Sequence, residues 1–141
     1  MRKFIIIVCY AWCSIAIGHA ANYYVSVSGN DSNPGTIQLP WRSVDKVNAT
    51  SLYPGDSVYF HGGETFLGSL LLTQSGSDQQ PIVIGSYGGA QAILESHDQN
   101  TIYGYNTGGF QIENLILINS GTQGSGVMFF TDDAPGKNIL E

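Results

Sequence analysis

The segment Phe110–Ser120, FQIENLILINS, narrows the folds open to this chain more than any other. Apolar residues alternate at Phe110 and Ile112, the alternation halts at Asn114, and it resumes at Leu115 and Leu117. A period of two puts alternate side chains on one face of a strand. The halt predicts two short strands meeting at a bend, with Asn114 at the corner because asparagine tolerates left-handed backbone angles. The β-branched Ile116 and Ile118, with Gly108-Gly109 before and Ser120-Gly121 after, favour strand over helix. One bent ribbon cannot bury its own apolar face, so it requires neighbours of the same shape.

Val58/Phe60, Ile82/Ile84 and Phe110/Ile112 form three matching apolar pairs. Their last members, continued by Leu140, fall at intervals of 24, 28 and 28 residues. On this reading the second arm recurs as Leu70/Leu72, Ile93/Leu94 and Leu115/Leu117. Self-similarity at about 20–50 residues with Gly-rich punctuation marks a solenoid. An ordinary mixed β-sheet is the alternative that spacing alone leaves open.

Composition supports the β reading. Charged residues are 11% of the chain, against about 25% in an average globular domain, and there are 18 glycines. Residues 1–20 stand apart: Arg2 and Lys3, an apolar run over Phe4–Ile17, then Gly18-His19-Ala20. This predicts a secretory signal cleaved after Ala20; the run is shorter than the roughly 20 residues of a membrane span. Both cysteines, Cys9 and Cys13, fall inside it, which excludes disulfides, thiolate metal sites and a cysteine nucleophile from the mature chain. Arg42, Lys46 and Lys137 then face eleven acids, a net charge of −8. Such a chain cannot neutralise a phosphate backbone, so nucleic acid is excluded as a partner. No membrane span is expected in the mature chain, and a monomer is the expected state.

In chain order, Tyr23–Ser28 reads as the first strand and Gly29–Gly35 as a dense turn. Asp31 and Asn33 match the start of an EF-hand loop, but its later ligands are absent, which favours a plain turn. Ser43 is a candidate N-cap for a short helix whose Val44 and Val47 share one side, with Trp41 packed beside it. That helix would lid the open end of a solenoid. The strand Val127–Phe130, a turn over Thr131–Gly136, and a further strand beginning at Asn138 complete the pattern. The expected organisation is a signal over 1–20, an N-terminal strand and cap over 21–55, and the first rungs of a longer solenoid over 56–141, incomplete at the C-terminus.

YYVSVSGNDSNPGT, PWRSVDKV, PGDSVYFHGGETF, PIVIGSYGG and FQIENLILIN, taken together, resemble the start of secreted right-handed parallel β-helix proteins of the pectate-lyase-like superfamily. The resemblance implies an all-β, right-handed parallel β-helix with a short N-terminal capping helix. It also implies an extracellular polysaccharide as partner. Lyases, hydrolases, esterases and non-catalytic adhesins share that fold, so it does not decide activity.

A glycosidase needs two carboxyl groups about 5–9.5 Å apart. Asp132-Asp133 is the adjacent acid pair, placed at a bend by Ala134-Pro135-Gly136, although a solvated turn is the favoured reading. Calcium is the candidate ion, with Asp132, Asp133 and Glu113 as candidate ligands; Glu141 repeats Glu113 one rung later. A lyase base needs a basic side chain, and Lys137 is the one outside the cap region. Tyr103 and Tyr105 are candidates for stacking on sugar rings, and His61 for a surface ligand. Asn30-Asp31-Ser32 and Asn48-Ala49-Thr50 match glycosylation sequons. The expected function is the N-terminal part of a secreted protein cleaving a polysaccharide by lyase or hydrolase chemistry, with this segment inactive alone. A non-catalytic adhesin or glycan-binding module is the alternative.

Overall fold

The computed structural model describes residues 20–132. Among them the elements run β1 (Asn22–Val25), α1 (Val44–Asn48), β2 (Ser57–His61), β3 (Thr65–Leu67), β4 (Leu70–Leu72), β5 (Ile82–Tyr87), β6 (Ala92–Ser96), β7 (Ile102–Tyr105), β8 (Phe110–Ile112), β9 (Leu115–Asn119) and β10 (Val127–Phe130). They form three sheets ordered β1-β2-β5-β8, β3-β6-β9 and β4-β7-β10. Every pairing is parallel. The chain visits the first, second and third sheets in turn, three times over. The protein is all-β with parallel sheets and very little helix.

The bend at Asn114 is where the alternation placed it: φ is 54°, and β8 and β9 meet there. Earlier passes turn the same corner with Gly63 and with Gly88-Gly89, also at positive φ. Two features of the repeat differ from the sequence reading. Ile84 aligns with Val58 and not with Phe60, because β2 and β5 are offset by 26 residues. Leu70 and Leu72 belong to the third sheet; the true second-sheet file is Phe66, Leu94 and Leu117. Each pass has three arms where the sequence suggested two. The third went unseen because β7, IYGY, carries a glycine at an inward position, which breaks the apolar alternation.

Side chains facing inward form one core. Val25, Val58, Phe60, Ile82 and Ile84 come from the first sheet, Phe66 and Leu94 from the second, and Leu70, Leu72 and Ile102 from the third. Inward residues of the last described pass, such as Ile112, Leu117 and Phe129, are half-buried against it. Ser43 caps α1 by accepting from Lys46 N at 3.1 Å, and Val44 and Val47 are buried. Trp41 stacks on Tyr23 at 4.5 Å, with Lys46 Nζ 5.5 Å from the Trp41 ring centroid. Trp41 is thus packing, not an exposed platform.

The helix also covers a strand edge. Asn48 Nδ2 donates to Ser69 O and Asn48 Oδ1 accepts from Leu71 N, both at 2.9 Å, so one side chain takes the place of a neighbouring strand along β4. Asn48→Ala should lower the unfolding free energy by about 1 kcal/mol, because Leu71 is exposed enough for water to replace the lost bonds. An unchanged urea midpoint would show that the edge needs no cover.

Two aspartates tie loops down by accepting backbone N–H groups. Asp98 Oδ1 accepts from Thr122 N at 2.6 Å and Gln123 N at 3.1 Å, and these bonds hold its carboxyl below the usual range. At Asp31, burial pushes the carboxyl up, but bonds from Arg42 N, Ser43 Oγ and Ser43 N outweigh it and the net shift is down. That carboxylate is occupied in holding the cap, as the plain-turn reading requires. A carboxyl held below its unfolded value adds stability above that value, and the contribution is lost as pH falls through the folded one. Urea midpoints should therefore hold from neutral pH to about 4 and drop below it, and Asp98→Asn should flatten the drop. A profile no flatter in the variant would remove Asp98 from this role.

Candidate functional site

Strand alternation decides what the third sheet shows to solvent. Leu70, Leu72, Ile102, Gly104 and Phe129 turn inward, so Leu71, Tyr103, Tyr105, Met128 and Phe130 turn outward. Leu71, Tyr103 and Met128 form one file across β4, β7 and β10. Tyr105 pairs with Phe130 in the next, and their rings lie 5.9 Å apart at an interplanar angle of 12°. Phe130 is 53% exposed, Tyr105 44% and Met128 43%.

The inward side of the same sheet is closely packed beneath this face. A Cβ on Gly104 would stand 2.4 Å from ring atoms of Phe129, so only glycine lets that ring lie beneath β7. Phe129 in turn stacks on Phe110 at 5.7 Å. Asn106, at φ 52°, then holds the far end of the face: its N–H donates to Phe130 O at 2.9 Å and its Oδ1 accepts from Asp132 N at 3.0 Å. Asp132 is thereby placed beside the ring pair, and the Tyr105 hydroxyl donates to its Oδ2. That bond, with burial and the Asp132 charge adding to it, raises the phenol above its ordinary value.

Of the residues singled out by sequence, Tyr103, Tyr105 and Asp132 come together here. Glu113 does not. It lies at the corner between the first and second sheets and accepts from Gln111 Nε2 at 2.8 Å. Asp133, Lys137 and Glu141 lie outside the described residues. Among the described residues no three His, Cys, Asp or Glu side chains gather as a metal site would need. His61 ends β2, with Nδ1 3.4 Å from Glu64 Oε1 and its ring edge-on to Tyr87 at 4.9 Å. Glu64 also accepts from Val27 N at 2.8 Å, so this pair fastens the first turn to the β2–β3 corner. Asn119 makes turn bonds, accepting from Gly121 N and donating to Gln123 O.

Sequence reasoning missed Leu71, Met128 and Phe130 as members of this face. The alternation in Val127–Phe130 puts Met128 and Phe130 on one side, but only the parallel register of β7 and β10 sets Phe130 beside Tyr105.

The arrangement can bind before it can react. Two parallel, stacked rings leave an outer π face open to a C–H-bearing surface, and a carboxylate beside them accepts hydroxyl hydrogens. Asp132 is the one described carboxylate built into the face, so the paired acids of a glycosidase are not assembled by the described residues.

No family model matches the chain. Over 80 residues it is 31% identical to pectate lyase PEL9 of Emericella nidulans, a match covering 56% of this chain and 19% of that protein. Two crystal structures of the GH136 lacto-N-biosidase of Eubacterium ramulus, a selenomethionine derivative and the native protein, superpose with TM-scores of 0.64 and 0.65. Both are 29% identical over 72% of this chain, and 20% and 21% of theirs is covered. The chain therefore spans about a fifth of the length of each protein it is similar to, and what it shares with them is a stretch of parallel β-structure found in carbohydrate-active enzymes.

Proposed function

We propose that the chain is the N-terminal part of a secreted, carbohydrate-active right-handed parallel β-helix, and that the outward face of its third sheet binds glycan. Three ordered passes through three parallel sheets support the solenoid reading. The observation that carries the functional reading is the exposed Tyr105–Phe130 ring pair with Asp132 at its edge. Similarity to a pectate lyase and to a lacto-N-biosidase supports a polysaccharide or oligosaccharide as the ligand. Bond cleavage is assigned to a longer protein carrying this segment, with the acid and base supplied beyond the described residues; lyase and hydrolase chemistry are both consistent with the relatives. Alone, the chain acts as a non-catalytic binding module.

Binding by the full chain to a panel of plant and host glycans, followed by calorimetry, tests this. We expect measurable affinity, no new double bonds and no new reducing ends. Loss of binding in Phe130→Ala with an unchanged circular dichroism spectrum would support the face. Full binding in that variant would place the ligand elsewhere, and appreciable cleavage by the chain alone would overturn the division of labour.

A further inference from the structure

The charges around the ring pair restrict the class of glycan it takes; this rests on the binding reading above. A uronate ring carries a carboxylate that needs a cation to meet it, since an anion facing an anion is repelled. Among the described residues the Lys and Arg side chains are Arg42 and Lys46; the histidines, His61 and His97, face Glu64 and Asp98. Arg42 lines a separate groove of about 230 Å³ beside β3, with Val27, Thr65 and Leu67. Lys46 is turned to the Trp41 ring, and β4 separates its helix from β7. The face itself holds Tyr103, Tyr105, Met128 and Phe130, with one anion, Asp132.

We propose that this face takes neutral glycans, hexose or N-acetylhexosamine units, and rejects polyuronates. A neutral pyranose lays its C–H side on the exposed ring of the stacked Tyr105–Phe130 pair and donates a hydroxyl to Asp132, whose carboxylate has acceptor capacity beyond the bond from Tyr105. A galacturonate in the same pose sets its carboxylate near that of Asp132 with no described cation to intervene.

Calorimetry with neutral oligosaccharides and with oligogalacturonate, each with calcium and with chelator, decides the matter. The expected result is binding of a neutral oligomer, insensitive to calcium and salt, weakened about tenfold or more by Phe130→Ala. Tyr105→Phe, which keeps the ring, should weaken it less. Oligogalacturonate should not bind, and Asp132→Asn should admit it weakly. Oligogalacturonate binding as tight as the neutral ligand's, lost in Phe130→Ala, would overturn the neutral class and leave the glycan-binding reading standing. Neutral binding indifferent to both ring variants, or no binding of either ligand, would overturn the reading itself and this inference with it.

A separate observation concerns the N-terminus. Asp56 is 2% exposed, and its two oxygens accept from Ala21 N and Tyr53 N, each at 2.8 Å. Its charge helps raise the Tyr23 phenol, and no described basic side chain is paired with it. A buried carboxylate held only by neutral donors is short of a counter-charge. The bond that the signal reading of residues 1–20 marks for cleavage joins Ala20 to Ala21. Hydrolysis there leaves a carboxylate on Ala20 and an ammonium on Ala21, at the atom already 2.8 Å from Asp56.

The geometry points to the α-ammonium of Ala21, made by processing, as the counter-ion of Asp56, so that removal of the leader locks β1 in place. Chains beginning at Ala21 should melt higher than chains retaining Ala20 or acetylated at Ala21. A group whose pKa is raised by its partner stabilises fully below its unfolded value, about 8, and loses that effect as pH rises through the folded value. The advantage should therefore hold at neutral pH, vanish in alkali, and disappear in Asp56→Asn. Proton NMR titration of the Ala21 amine, expected well above 8, gives a second readout in the native sequence. Equal melting of processed and extended chains, or secreted protein beginning at another residue, would overturn it.

Discussion

Phe60→Ala should lower the unfolding free energy by about 3–5 kcal/mol. Phe60 is fully buried on β2, and its ring meets Phe66 of β3 edge-on, centroids 4.9 Å apart. Truncation therefore strips packing from two sheets at once. The gap cannot close easily, because β2 is hydrogen-bonded on both sides, to β1 and to β5. A domain of this size has about 5–15 kcal/mol in all, so the loss should be plain in a urea titration. A loss below about 1.5 kcal/mol would mean that the walls collapse onto the cavity, against this account of a stiff ladder. Phe130→Ala, on the outer face, should cost within about 0.5 kcal/mol and serves as the contrast.

Gly109→Ala should cost about 3 kcal/mol or more and, unlike Phe60→Ala, should reach the proposed glycan face. Gly109 sits at φ 71°, where a side chain adds about 1–2 kcal/mol of strain. A Cβ there would stand 2.4 Å from the Gly76 carbonyl carbon and 2.7 Å from its oxygen. Both are backbone, and both flanks are tied: Gly76 N donates to Gly108 O at 3.0 Å and Ile82 N to Gly109 O at 2.9 Å. The backbone at this corner must shift, and Asn106, three residues earlier, carries the bonds to Phe130 O and Asp132 N. Melting temperature and glycan affinity should fall together. A variant that melts early yet binds as before, measured well below its melting point, would separate that corner from the site.

The register error in the sequence reading has a specific cause. Phe60 and Ile84 are both large, apolar and last in their pairs, so matching by type aligned them. The structure aligns Val58 with Ile84 and leaves Phe60 opposite Ser86. Parallel ladders match backbone to backbone, and side-chain likeness between rungs is only statistical. Gly104 hid the third arm in the same way, since its inward place is filled from the next rung by Phe129. The face at Tyr103 and Tyr105 was open to inspection as aromatic residues in alternation, whereas its partner Phe130 is 25 residues further along the chain. Of the candidate acids, Asp132 joins the face, Glu113 turns to another corner, and Asp133 lies outside the described residues.

What the residues determined unaided was local. Period-two alternation gave strands, Asn114 and the glycines gave corners, Ser43 gave the cap, and a net charge of −6 over the sequence argued against nucleic acid as a partner. Each depends on neighbours within a few residues or on a sum over the whole chain. Tertiary structure alone decided which rung lies on which. It thereby paired Tyr105 with Phe130, put Asn48 along β4 and set Asp56 against Ala21. Those juxtapositions depend on offsets of 21 to 35 residues between stacked elements, which loops of varying length shift without leaving any mark in the strands themselves.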